Sequence, residues 1–315
     1  MNSESLTDKI IQTRDIKPNS VRAYITCLQK LNQKIVGERD FNNLKFLMNI
    51  ERVEDAIKDF ALTTRRNYLA SIIVALKTDE KKYEKLIQKY SKILDDLSKE
   101  HRDFILTQQK TEKQSKNWLS FNEIKKVRTE LNRQINADGL RKKTTLSKKE
   151  MNLLQKHLIL SLYIDIPPIR NDFGDMRVVT TKEFNKKKES EKKTNNWLIK
   201  NGNNMKFIFY DYKTHKTYGE KTIEIPKKLK RIIKKMLEYN NSGYLLIKQN
   251  GTPLNSNGIT RELNSIFSKY GKKIGSTMLR HIYLSNEFAP LLKKQHKIAD
   301  AMFHSTDLQQ KYVKN

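Results

Sequence analysis

The chain is 315 residues long, about twice a typical domain, and 37% of them are hydrophobic. Lysine and arginine number 63 against 35 aspartates and glutamates, for a formal charge of +28 and a pI near 9.9. Such a field disfavours cationic partners and points to a polyanion, nucleic acid first, although a lysine- and asparagine-rich composition also follows from codon bias. The lone Cys27 excludes an intrachain disulfide, and no Cys/His spacing points to a metal, so no cofactor is expected. The N-terminus lacks the apolar core of a signal peptide, and no run is long enough to span a membrane. The expectation is an intracellular protein in a reducing compartment, with nucleus, cytoplasm and viral factory all left open.

In chain order, helical spacing begins at Asn19 or Ser20 as cap and runs through Val21, Tyr24, Ile25, Leu28, Leu31 and Ile35. Further helices are predicted near Leu44–Ile50, over Val53–Phe60, from Tyr68 to Leu76 and over Tyr83–Ile105. These make a bundle of four or five helices over residues 1–106. Arg14, Lys17, Arg22, Arg65 and Arg66 are either phosphate contacts or solvated helix ends. Residues 107–116 (TQQKTEKQSK) contain no apolar side chain and are predicted to be a linker.

A second domain is predicted over 117–315. Ser120 with Glu123 forms a capping box for a helix through Ile124, Val127 and Leu131. Ser147 caps an almost wholly apolar helix that ends at Ile166-Pro167-Pro168 and should lie at the domain centre. Arg170 follows this rigid corner, and it either points into a site or pairs with Asp172 or Asp175 at the surface. Residues 182–195 read as a charged, mobile insertion. Three short strands follow, Trp197–Ile199, Met205–Tyr212 and Lys221–Ile225, with a tight turn at Asn201-Gly202-Asn203. Lys213 and Lys216 would project from the tip of the second hairpin. The fold class expected is mainly α, α+β, with a small antiparallel sheet.

Pro226 opens a helix whose polar face carries Lys228, Arg231 and Lys235, either tracking phosphates or simply exposed. A further helix is predicted over Ile259–Tyr270. The tail then places Arg280 and His281 in a short apolar helical segment, His304 at the close of the next helical run, and Tyr312 beyond it.

Arg170 in PPIRND, Lys213 in YKTHKTYG, Arg280 in MLRHIYLS, and His304 with Tyr312 in MFHSTDLQQKY occur in that order in a basic, two-domain chain. Together they resemble the tyrosine recombinase/integrase family. The resemblance is specific in the second domain and architectural in the first. It implies that Tyr312 is a nucleophile forming a 3′-phosphotyrosyl link and that Arg170 and Arg280 clamp the scissile phosphate. Lys213 would protonate the leaving 5′ oxygen, and His304 would bond the phosphate or position the tyrosine. The chemistry is consistent, because guanidinium groups bind non-bridging oxygens bidentately and a phenol needs a positive surrounding or a base to attack.

The resemblance further implies double-stranded DNA as partner, a helical core-binding first domain that closes over DNA, and a tetramer on paired sites. The reaction would be recombination, with integration of a viral or mobile element as its setting. The alternatives are type IB topoisomerase-like relaxation and an inactive DNA-binding relative. Three positions depart from the family pattern. Thr277 stands where a histidine is usual and can donate a hydrogen bond without exchanging protons, and His281 is read as structural or at best a substitute donor. Phe303 stands where a glycine usually precedes His304, implying altered packing. Little chain follows Tyr312, so oligomer contacts would have to come from elsewhere.

Overall fold

Leu6 and Ile10, spaced one helical turn apart, open the first of two compact units, Met1–Gln109 and Lys110–Asn315. The structure is a computed structural model and describes residues 2–14, 16 and 18–313. Lys17, a candidate for phosphate contact, lies outside the described residues.

In the first unit Asn2 accepts from Ser5 N and caps α1 (Ser3–Thr13), a helix the apolar pattern did not announce. Next, α2 (Pro18–Val36) starts on its proline, which has no N–H to leave unpaired, so Asn19 and Ser20 lie inside the first turn rather than at the cap. The segment near Leu44 is a single 3₁₀ turn, Lys45–Leu47, before α3 (Ile50–Ile57), which Asn49 caps. There follow α4 (Leu62–Leu76) and α5 (Glu80–Leu106). Leu69, Ile72, Ala75 and Leu76 are fully buried, making α4 the middle of the bundle. Tyr90 of α5 donates its buried hydroxyl to Leu47 O at 2.7 Å, joining the longest helix to the 3₁₀ turn.

The second unit begins inside the polar stretch predicted as linker, where a Thr111–Gln114 capping box starts α6 (Glu112–Asn117). The Ser120–Glu123 and Ser147–Glu150 boxes start α7 (Phe121–Ala137) and α8 (Lys148–Leu162). In α8, Leu154, Leu158, Ile159, Leu160 and Leu162 are all buried, so it is the core helix. Strand β1 (Arg177–Thr180) leads into α9 (Thr181–Asn185) and α10 (Glu189–Lys193). Then come β2 (Asn196–Asn201), β3 (Asn204–Phe209), α11 (His215–Tyr218) and β4 (Lys221–Glu224). The chain continues with α12 (Lys227–Tyr239), α13 (Ser256–Ser268), α14 (Ser276–Ala301) and α15 (Thr306–Tyr312).

The protein is mainly α with one small sheet in the order β1-β2-β3-β4. Strands β2, β3 and β4 pair antiparallel as expected, with Gly202 at φ 55° in the β2–β3 turn. The added β1 pairs parallel to β2, Val178 opposite Leu198, so the sheet is mixed rather than purely antiparallel. A parallel pair needs a crossover connection, and residues 181–195 supply it. That stretch is therefore folded, not a mobile insertion. Phe184 meets Trp197 edge to face at 5.6 Å, and Trp197 Nε1 donates to Lys192 O at 3.0 Å. Among the described residues, no helix is long and apolar enough to cross a membrane.

Candidate functional site

Past the end of α8 the chain turns through Ile166-Pro167-Pro168 and leaves Arg170 exposed, on a loop that is fixed from behind. Buried Tyr163 donates its hydroxyl to Asn171 Oδ1 at 2.8 Å. Asn171 Nδ2 in turn donates to Ser256 O at 2.8 Å and to Thr260 Oγ1 at 2.7 Å, and the Ser256 hydroxyl donates to Asn171 O at 3.0 Å. Gly174 closes the same junction. A Cβ there would fall 2.5 Å from Ser256 N, closer than real contacts allow, so only glycine lets the loop meet the start of α13.

Asp172 collects the charges. Its half-buried carboxyl is pushed up from the usual range by burial, pulled back by Arg170 and Arg280, and pushed up again by Asp211. Two arginines far apart in sequence thus act on the same carboxylate. Arg280 lies in the first turns of α14, which begins at Ser276. Both readings of Arg170 keep support, since it is exposed and also acts on Asp172.

Asn196, buried at the start of β2, joins this group to the β3–β4 connection. Its Nδ2 donates to Asp172 O at 3.0 Å and to Asp211 O at 2.8 Å, while its Oδ1 accepts from Tyr210 N and Asp211 N. Lys213 follows directly and is exposed. The connection is not the open hairpin tip expected from sequence. It folds into α11, with the Tyr212 hydroxyl donating to Gly219 O at 2.6 Å and Tyr212 O within 2.8 Å of His215 Nδ1. Lys213 stands just before that turn of helix and Lys216 within it.

The other two candidates are elsewhere. The tail forms one helix, α14, which continues through Pro290 to Ala301 instead of two separate runs. At 1.5 Å per residue, Ala301 lies roughly 30 Å along the axis from Arg280. His304 N donates to Ala299 O at 3.1 Å, so His304 sits against that far end. Phe303, where a glycine is usual, takes φ 55° in the left-handed region and is 98% exposed. Then α15 folds back, and the His304 and Tyr312 rings stack at 5.9 Å and 10°. Among the five candidates, Arg170 and Arg280 both act on Asp172, Lys213 follows the Asp211 segment that Asn196 ties to Asp172, and His304 stacks on Tyr312 beyond the end of α14. Thr277 and His281 are both exposed in the first turns of α14, His281 on a different face from half-buried Arg280.

The candidate DNA contacts are partly engaged within the protein. Arg66 Nε donates to Ser98 Oγ at 3.1 Å, tying α4 to α5, and Arg65 Nε is buried without a partner. Lys228 approaches Asp165 at 3.7 Å and Lys235 pairs with Glu238 at 2.6 Å. Arg231 is exposed. Among the described residues, no group of three or more His, Cys, Asp or Glu is placed to hold a metal ion. Asn171 and Asp172, adjacent to Arg170 in PPIRND, were legible as neighbours but not as its fixings. Asn196 carried no sequence signal.

No family model and no curated protein matches this sequence. Among solved structures, the chain is similar to a crystal structure of the XerH site-specific recombinase bound to difH substrate in a pre-cleavage complex. The similarity covers 98% of this chain and 81% of that one, at 15% identity and a TM-score of 0.44. At that distance, what this chain does must be read from its own residues.

Proposed function

We propose that the protein cuts and rejoins DNA at specific sites through a covalent bond to Tyr312, with Tyr312 acting on a phosphate held by the arginine pair of another copy. The observation that carries this reading is the exposed Arg170 on a loop fixed by Asn171, with Arg280 near enough to act electrostatically on the same half-buried carboxylate, in a chain of charge +28. Two positioned guanidinium groups suit the two non-bridging oxygens of a phosphodiester, where negative charge builds during in-line attack.

In the proposed step the Tyr312 oxygen attacks phosphorus, the bond to the 5′ oxygen breaks, and Lys213 protonates that oxygen as it leaves. The phenolic proton passes to solvent or to the His304 ring stacked beside it. The bond energy is kept in the 3′-phosphotyrosyl link, so a 5′ hydroxyl can reverse the step and rejoin strands. Delivery to another copy is supported by the length of α14, which holds Arg280 in its first turns and is followed by the His304–Tyr312 pair past its far end. It is also supported by the exposed apolar row of Leu284, Phe288, Leu291, Ile298 and Met302, whose seven-residue repeat suits helix-to-helix contact. Exchange between two duplexes then takes four copies, one per strand, and integration of a viral or mobile element is the setting proposed.

The test mixes Arg280→Ala and Tyr312→Phe proteins on a nicked duplex that traps the covalent intermediate. Tyr312→Phe alone should form no adduct, Arg280→Ala alone should form it about 10²- to 10³-fold more slowly than wild type, and the mixture should restore fast formation of an adduct carried by the Arg280→Ala chain. A mixture no faster than Arg280→Ala alone would overturn delivery between copies. No adduct from wild type on a library of duplexes would overturn DNA breakage itself.

A further inference from the structure

We propose that the second unit carries a separate anion site, lined by residues of α7, α8 and α12, that takes a nucleoside polyphosphate. The cavity there measures about 550 Å³, within the size range of small-molecule sites, so it admits a nucleotide and not a duplex. Six basic side chains line it against a single acid, Glu238.

The internal pairing leaves much of that positive charge uncompensated. Arg128 is held by Asp165, with both side chains nearly buried, and Lys228 shares the same carboxylate at 3.7 Å. Lys235 pairs with Glu238. Arg141 binds only neutral amide oxygens, Asn132 Oδ1 at 2.6 Å and Asn136 Oδ1, and Lys234 binds Asn203 Oδ1 at 2.7 Å. Arg231, exposed at the rim, has no hydrogen bond or ion pair among the described residues. Arg141, Lys234 and Arg231 are thus three cations with no acid to neutralise them, lining one cavity, and a polyphosphate supplies what they lack.

His157 completes the site from within. It lines the cavity, is 3% exposed, and its Nδ1 has no hydrogen-bond partner. Unpartnered buried polar atoms are uncommon in native proteins and call for an explanation. Burial and the charges of Arg141, Arg128 and Lys228 push its pKa down to about 4, so near neutral pH the ring is uncharged. An uncharged imidazole against Ile232 and the aliphatic stems of the surrounding lysines and arginines makes a wall suited to a flat base rather than to phosphate. The phosphates would then lie toward Arg231 and Lys234.

Isothermal titration of the full chain with ATP, near physiological salt, tests this. One saturable site is expected. Arg231→Ala with Lys234→Ala should weaken it about tenfold or more, since charged hydrogen bonds are lost from an exposed rim that the fold does not need. The control pair Lys182→Ala with Lys186→Ala, exposed lysines of α9 and the turn after it, should leave affinity unchanged. Inorganic triphosphate should bind more weakly than ATP. The proposal is overturned by equal losses in both double variants, by triphosphate binding as tightly as ATP, or by no saturable binding. Displacement of ATP by a short duplex at equal ionic strength would assign the cavity to the DNA backbone instead, and overturn it too.

Discussion

His304 and Tyr312 lie ring on ring, 5.9 Å between centroids and 10° from parallel, so the two side chains are placed as one unit. His304 Nε2 is buried and has no hydrogen-bond partner. The Tyr312 ring is 67% exposed on the same short helix-turn, so the phenol is accessible while the imidazole is sheltered.

That arrangement predicts different losses for the two residues. Tyr312→Phe keeps the stack and should abolish the covalent adduct on nicked DNA entirely. His304→Ala removes the stack and should slow adduct formation by about 10²-fold, the lower range for a positioned proton-transfer or orienting group. Denaturing gels of single-turnover reactions read both. An adduct formed by Tyr312→Phe would remove Tyr312 from the chemistry.

The arginine pair predicts separable effects on cleavage and binding. Arg170→Ala or Arg280→Ala should each cost about 10²- to 10³-fold in single-turnover cleavage, as loss of one preorganised charge donor does. DNA affinity in gel shifts should change by only a few-fold. A parallel collapse of affinity would mean that the arginines serve binding and not the scissile phosphate.

Asn196 touches no proposed substrate, yet it makes four hydrogen bonds from a buried position. Asn196→Ala should cost about 3 kcal/mol in urea unfolding of the second unit, because it orphans buried backbone groups. It should also slow cleavage by separating the Asp172 and Asp211 segments. Asn196→Asp should be worse, since it sets a third carboxylate beside those two. Full activity in either variant would show that the Arg170 loop is held by Asn171 alone.

His157 gives the stability a pH dependence. Its pKa is lowered from 6.5 to about 4 in the folded protein, chiefly by burial and then by Arg141. Between these values the unfolded chain binds the proton and the folded chain does not. Stability from this group is therefore complete above pH 6.5 and is lost as pH falls toward 4. The expected loss from pH 7.5 to pH 5 is about 2 kcal/mol. His157→Gln should flatten that part of the profile in denaturant titrations, and an unchanged slope would locate it elsewhere.

Phe303 holds a left-handed turn that costs a side-chain-bearing residue about 1–2 kcal/mol relative to glycine. Phe303→Gly should raise hydrogen-exchange protection of the His304 amide, which bonds Ala299 O, about fivefold or more. Reduced protection would mean that the phenyl ring itself secures the turn.

What the sequence disclosed was mostly local. Ser120 and Ser147 bond their own helices three residues on, so their capping boxes could be read from spacing alone. Likewise, the proline corner before Arg170 is a property of adjacent residues. β1 was missed because its four residues carry little alternation and pair only through a parallel crossover. α1 was missed because it offers just two fully buried side chains, and the role of Asn196 depends on two loops distant in sequence. The tail misled in the other direction. Pro290 argues for a break, but its position on an exposed stretch lets the helix continue with one backbone bond missing. Order along the chain suggested one site, and the structure sets His304 and Tyr312 past the far end of α14.

Pro290 also makes α14 a lever. From Pro290 to Ala301 the helix extends about 17 Å, so a kink of about 20° there would swing the tip by about 6 Å. Bond-making chemistry tolerates about 0.5 Å of misplacement. A tip on so long an arm reaches that precision only when something seats it. Under the proposed function, a solitary molecule would hold Tyr312 away from any phosphate gripped by its own arginines. Under the reading proposed here, assembly acts as the safety catch, and stray nicks are avoided by distance alone.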